Sequence, residues 1–405
     1  MHKYLFVRLG WLQILVALLL GAPYNATAIE PALAPGAIEK LKEFNIVLTR
    51  MREEYVEVLD DNTLIEASIK GMVSRIDPEG EYLDREAFKE LTGEASKNMA
   101  AVGLEIVREN EWLKVVAPLD GSPAYYADIR SGDLIIKIDH VYVKNMTLTE
   151  GVSRLRGKPN TRVTITLVRK GEDQPRDISL TRQMIKLQSV KFRMLEPDYA
   201  YVRIAKLQEN TLTMLTTHLK QMYQLSEPKG LILDLRNNSG GLLHGAVGVA
   251  AIFLQPKAIV ASMTGRTKDT NITLLAESEF YIRTGPDFTK EIPAGIKMLP
   301  LIVIVNHGSA AGAEIIASSL QDHQRAIIVG QPTFGRTTLQ TVMPLQSGAA
   351  LKLTTARWHT PKGKSVSSMG ITPDVILPEK NDLLDTSDYL DEVLVILKNR
   401  QSIKH

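Results

Sequence analysis

The side chains able to do chemistry are few, and they gather in the second half of the chain. Ser309, Thr337 and Thr338 carry hydroxyls, and His244, His307 and His323 could serve as bases for one of them. The absence of cysteine removes thiol nucleophiles, disulfides and thiolate metal sites. No HxH or HExxH spacing occurs, so neither a metal ion nor another cofactor is expected. Two small-residue turns stand out instead, each behind an apolar run: Asn237-Asn238-Ser239-Gly240-Gly241 and Gly308-Ser309-Ala310-Ala311-Gly312.

The elements that must position these turns read as a mixed α/β core. From about Ile185 onward, apolar runs at Tyr201 to Ile204, Gly230 to Leu235, Leu301 to Val305 and Ala326 to Val329 alternate with helical stretches. Before them lies a β-rich stretch with runs at Gly103 to Val107, Leu113 to Val116 and Val163 to Val168. Amphipathic periodicity predicts helices from Pro35 to about Tyr55 and from Thr63 to Ile76, and another near the C-terminus from Tyr389 to Leu397. Charge is nearly balanced, with 48 basic against 46 acidic side chains, which gives no electrostatic reason to expect nucleic acid. At the N-terminus, Lys3 and Arg8, an apolar run from Leu9 to Leu20 and Ala26-Thr27-Ala28 read as a secretory signal peptide, with an uncleaved anchor as the alternative. A periplasmic location is the expectation.

The segment Gly121-Ser122-Pro123-Ala124, followed by Ser131-Gly132-Asp133-Leu134-Ile135, resembles the most recognisable part of PDZ domains. That resemblance extends over residues 96–184 and places a carboxylate-binding loop at Val102, Gly103, Leu104 and Glu105. It implies that a polypeptide C-terminal tail adds as a strand to a sheet edge while loop N–H groups receive its carboxylate.

Three further blocks resemble the C-terminal processing peptidases, the tail-specific serine proteases of peptidase family S41. Gly230 to Leu243 follows the strand and glycine turn whose backbone helps form the oxyanion hole, which maps to Gly240 and Gly241, with Gly312 beside the nucleophile. Gly308 to Ile316 follows the nucleophile segment, and the serine position holds Ala311. Gln331 to Thr341 follows the segment bearing the general-base lysine, whose position holds Arg336, with Gln340 at the position that orients the base. The 24 residues between Ala311 and Arg336 equal the family's serine-to-lysine interval, which fixes the register. A serine/lysine dyad needs an amine that burial can neutralise, whereas a guanidinium stays charged.

The resulting expectation is a signal peptide (1–28), an N-terminal helical segment (29–95), a PDZ domain (96–184), an α/β protease-like core (185–380) and a C-terminal helix (381–405). The implied function is a pseudoprotease that binds polypeptide C-terminal tails or regulates an active relative. The implied partners are those tails, an active paralogous protease or adaptor, and a second copy joined through terminal helices. The competing expectation is an active serine endopeptidase whose nucleophile has moved to Ser309.

Overall fold

The computed structural model describes residues 34–92, 100–366, 369–378 and 386–402. The expected signal peptide lies outside these residues. The described residues form two compact units, one of 34–92 with 341–353, the other of 100–340 with those from 354 to 402.

In the first unit, helices Pro35–Glu54 and Asp61–Ile76 are followed by strand Glu81–Leu83 and helix Arg85–Leu91. Proline at the first turn starts the first helix, and the Asp60 carboxylate caps the second by accepting from Thr63 N at 3.1 Å. Glu81 to Leu83 pairs antiparallel with Lys352 to Ala350.

The second unit opens with the PDZ domain, whose sheet contains strands Leu104–Glu109, Trp112–Pro118, Leu134–Ile138, Arg162–Val168 and Arg176–Thr181 in that spatial order. Inward residues such as Leu113, Val115, Ile135, Ile138, Ile165 and Leu167 alternate with outward ones and close a core of their own. Helix Leu148–Leu155 begins with a reciprocal capping box between Thr147 and Glu150. Strand Leu104–Glu109 stands at the end of the sheet, so one backbone edge is available for a peptide.

The second sheet of this unit has six strands in the order Val375–Ile376, Ile327–Gly330, Leu301–Val305, Gly230–Asp234, Tyr199–Ile204 and Val190–Glu196. All neighbours are parallel except the last pair. Such strands are buried on both faces, which explains continuous apolar runs such as Leu301-Ile302-Val303-Ile304-Val305. Leu231, Leu233, Leu301 and Val303 face helices Thr211–Leu225, Leu243–Phe253 and Gly312–Asp322. Ile232, Ile302 and Ile304 face the opposite way, onto Tyr389, Leu390, Val393 and Leu397 of helix Thr386–Ser402. The loops that leave the C-terminal ends of the parallel strands are the place where such a sheet builds a site.

Candidate active site

Three of those loops converge. Loop 235–242 leaves strand Gly230–Asp234, loop 306–311 leaves Leu301–Val305, and loop 331–337 leaves Ile327–Gly330. Asn306 joins the first two: its Oδ1 accepts from Asn237 N at 2.8 Å and Gly308 N at 3.1 Å, and its Nδ2 donates to Asn237 Oδ1. Ala310 N donates to Asn238 O at 2.9 Å, and Asn238 Nδ2 donates to Ile204 O at 2.8 Å. Phe334 N donates to Ser309 O at 2.9 Å and brings in the third loop.

Glu314 fastens the centre. From the first turn of helix Gly312–Asp322 its buried carboxylate accepts from Ala311 N at 2.8 Å, Gly335 N at 2.7 Å, Arg336 N at 2.9 Å and Thr333 Oγ1 at 2.5 Å. Burial pushes this carboxyl above its ordinary pKa, and the four donors pull against that rise. The sequence reading did not single out Glu314 as a site residue. Its signal was a glutamate three positions into a helix, the usual place for a side chain to reach back to the N-cap N–H.

Ala311 stands at the junction of loop and helix with φ 49° and ψ −107°. An L-residue is strained there by about 1–3 kcal/mol, a cost usually found at active sites. Its side chain is a methyl group, which offers no nucleophilic atom. The Gly240 α-carbon faces this elbow so closely that an added Cβ would lie 2.9 Å from Gly312 N and 3.0 Å from Ala311 Cβ. Gly240 has φ 94°, and its N–H is donated to Asn238 Oδ1 at 2.9 Å. Gly240 therefore shapes the turn, and Gly241 and Gly312 remain as the candidate oxyanion donors. Asn238 escaped sequence reading because its role depends on a backbone bond two residues away.

Arg336 occupies the third loop, where its carbonyl accepts from the indole of fully buried Trp358 at 2.9 Å. Gln340 follows in strand Thr338–Pro344. The Arg336 guanidinium acts on a residue the sequence had not flagged, Lys206. Burial, and after it that guanidinium, lower the Lys206 amine to about 8. The same amine contacts the Glu105 carboxylate.

Ser309 is unsuited to nucleophilic attack. It is fully buried, its Oγ donates to Leu235 O at 2.8 Å, and the same Oγ accepts from Asn306 N at 3.0 Å. Both bonds serve the loop. The histidines are dispersed: His307 accepts through its carbonyl from Ser131, His323 meets Ile259 O, and His244 lies 3.4 Å from Glu209. Burial lowers the His244 pKa. Among the described residues, no group of three or more His, Asp or Glu could hold a metal ion.

The PDZ domain touches this centre directly. Val107 and Val116 pack with Ala310 and Phe334, and Ser131 Oγ donates to His307 O at 2.7 Å. Asp120 receives two bonds from Arg203, at 2.6 and 2.7 Å, and Arg203 also reaches Asp234 at 3.2 Å. Burial would raise Asp234, but Arg236 and Arg203 hold it well below the usual carboxylate range. At the expected carboxylate loop, Gly103 has φ 80°, and a Cβ there would strike the Ser122 side chain at 2.1 Å. Val102 is buried, Leu104 begins the edge strand, and Glu105 reaches out of it to Lys206.

Residues 198–377 match peptidase family S41, and residues 114–169 match a PDZ domain. The chain is 37% identical over 370 residues to a carboxy-terminal-processing protease of Bartonella bacilliformis, spanning 90% of this chain and 82% of that one. It is 32% identical over 365 residues to a probable CtpA-like serine protease of Staphylococcus aureus, spanning 90% and 68%. Among solved structures, the photosystem II D1 C-terminal processing protease superposes with a TM-score of 0.70 and 27% identity, across 85% of this chain and 89% of that one. The family match, the PDZ match and the sequence identity agree, and the chain belongs to peptidase family S41, among the carboxy-terminal-processing proteases.

Proposed function

We propose that this chain is a pseudoprotease of its family, binding polypeptide C-terminal tails without hydrolysing them. The observation that carries this reading is the pairing of a methyl group at the strained elbow, Ala311, with a guanidinium at the base position, Arg336. In the ancestral reaction a neutral lysine would take the proton from a serine hydroxyl as that oxygen attacked the carbonyl, and backbone N–H groups would hold the oxyanion. Here neither the hydroxyl nor a neutral base is supplied at those positions. Gly241 and Gly312 keep backbone donors that can polarise a carbonyl. Loss of triad members leaves a residual acceleration of roughly 10³ to 10⁴ from binding and the oxyanion hole, far below a working enzyme. The bonding of Ser309 argues against a relocated nucleophile.

The reading places the chain in the periplasm, on the strength of the signal-like residues 1–28. Pairing with an active paralogue or adaptor, or with a second copy through terminal helices, completes the proposal. Exposed Ile38, Leu41, Phe44 and Val47 on helix Pro35–Glu54 favour the helical contact. Among the described residues no helix is long and apolar enough to cross a membrane.

The test combines binding and mass. Fluorescence anisotropy with an apolar, free-carboxylate peptide reports binding, and intact-mass analysis of an unfolded apolar-tailed protein reports cleavage. Binding without cleavage is expected. Cleavage abolished by Ser309→Ala would mean that the nucleophile has moved.

A further inference from the structure

Arg108 lies on the edge strand of the PDZ domain and takes no part in the catalytic loops. Its guanidinium reaches the segment that leads into helix Leu148–Leu155, donating to Lys144 O at 2.9 Å and also to Met146 O. It thereby straps the edge strand to that helix. Just beyond the helix, Gly157 bridges to Ala100 beside the carboxylate loop, so strand and helix run in opposite directions. Between them Leu104, Leu148 and Val152 are only partly buried over the domain core and line an apolar groove. Arg108 closes this groove at the end away from Gly103.

Alternation decides which strand residues line the groove, because successive side chains point to opposite faces. Glu105 and Val107 face the catalytic side, where they meet Lys206 and Ala310 respectively. Leu104, Ile106 and Arg108 face the helix. The acids on the adjoining elements are engaged elsewhere: Glu109 contacts Lys114 at 2.7 Å, Glu111 contacts Lys144 at 3.0 Å, and Glu150 accepts from Thr147 N at 2.8 Å. Among the described residues, Arg108 is therefore held by two neutral carbonyls and by no carboxylate. A guanidinium carries five N–H donors in a fork that matches a carboxylate, and two carbonyls leave some of them for a ligand.

What that ligand is rests on the tail-binding reading. A tail whose carboxylate meets the N–H groups of Gly103 and Leu104 must run along the strand antiparallel to it, with its last residue beside Leu104. The residue two before the last then lies beside Ile106, and the residue four before the last beside Arg108, on the same face. We infer that Arg108 is a specificity-determining residue, selecting tails that carry Asp or Glu four residues before an apolar C-terminal residue.

The experiment uses fluorescence anisotropy on the whole chain and three peptides of one apolar sequence, with Glu, Gln or Lys four residues before the last, each as free acid and as C-terminal amide. The Glu free acid is expected to bind about fivefold tighter than the Gln free acid, the upper end for an opposite-charge pair on neighbouring strands, and the Lys free acid weakest of the three. Arg108→Gln is expected to bring the Glu and Gln peptides to equal affinity, Arg108→Lys to keep part of the preference, and Arg108→Glu to favour the Lys peptide, each with a normal melting curve.

Equal affinity of the Glu and Gln free acids for the unmodified chain, both above their amides, would overturn the role of Arg108 and leave tail binding standing. That comparison needs no variant. A Glu preference that survives in Arg108→Gln would overturn it as well. If no free acid binds better than its amide, the tail-binding reading fails, and this inference fails with it.

Discussion

Ser309 and Ala311 stand two positions apart in one loop and have opposite roles. The Ser309 hydroxyl is fully buried between Leu235 and Asn306 and holds two loops together, whereas the Ala311 position keeps a strained backbone and no reactive atom. The same contrast separates the whole supporting lattice of Asn238, Asn306, Asp234 and Glu314 from the pair Ala311 and Arg336. It teaches that folding and chemistry draw on different residues of one site. On the proposed reading, side-chain chemistry at two positions has been exchanged while the bonds that shape the cleft persist.

The contrast breaks if the lattice proves dispensable. Asp234→Ala would leave Arg203 and Arg236 facing a vacancy in the core, and a loss of about 3–5 kcal/mol in urea unfolding is expected. Ser309→Ala removes one hydroxyl that satisfies a buried N–H and a buried carbonyl, for an expected loss of about 2 kcal/mol. A neutral result at Ser309 would reopen it as a chemical group.

Acid sharpens the comparison between the PDZ contact and the centre. Burial would raise Asp120, yet Arg203 holds it below the ordinary carboxyl pKa. A depressed carboxyl contributes its stability fully above the unfolded pKa, about 3.9, and loses it as pH falls through the lower folded value. Asp120→Asn should therefore destabilise the chain by about 1–2 kcal/mol at neutral pH and remove part of the acid-induced loss below pH about 4. Parallel acid profiles for wild type and variant would contradict this assignment. The smallest effect belongs to the elbow: Ala311→Gly relieves its positive φ and should stabilise by about 1 kcal/mol, read as a rise in melting temperature.

Much of this was legible in the chain itself. The apolar runs at Gly230 and Leu301 became central strands because a two-faced parallel sheet leaves no polar side to disguise them. The family resemblance singled out Ala311 and Arg336, and both stand on loops that Glu314 ties together. Strand Glu81–Leu83 was not legible, since three residues carry no period and their partners lie at 350–352. Lys206 was hidden for a related reason: its meaning comes from Glu105 and Arg336, each about a hundred residues or more away. The donor role expected of Gly240 depended on where Asn238 points, which only the fold decides.

The most direct test of the central claim compares the unmodified chain, Ala311→Ser, and Ala311→Ser combined with Arg336→Lys on one unfolded, apolar-tailed protein, scored by intact mass. The account predicts no cleavage by the first two and measurable cleavage by the double variant, which regains hydroxyl and amine together. Cleavage by the unmodified chain at the rate of the double variant would contradict it.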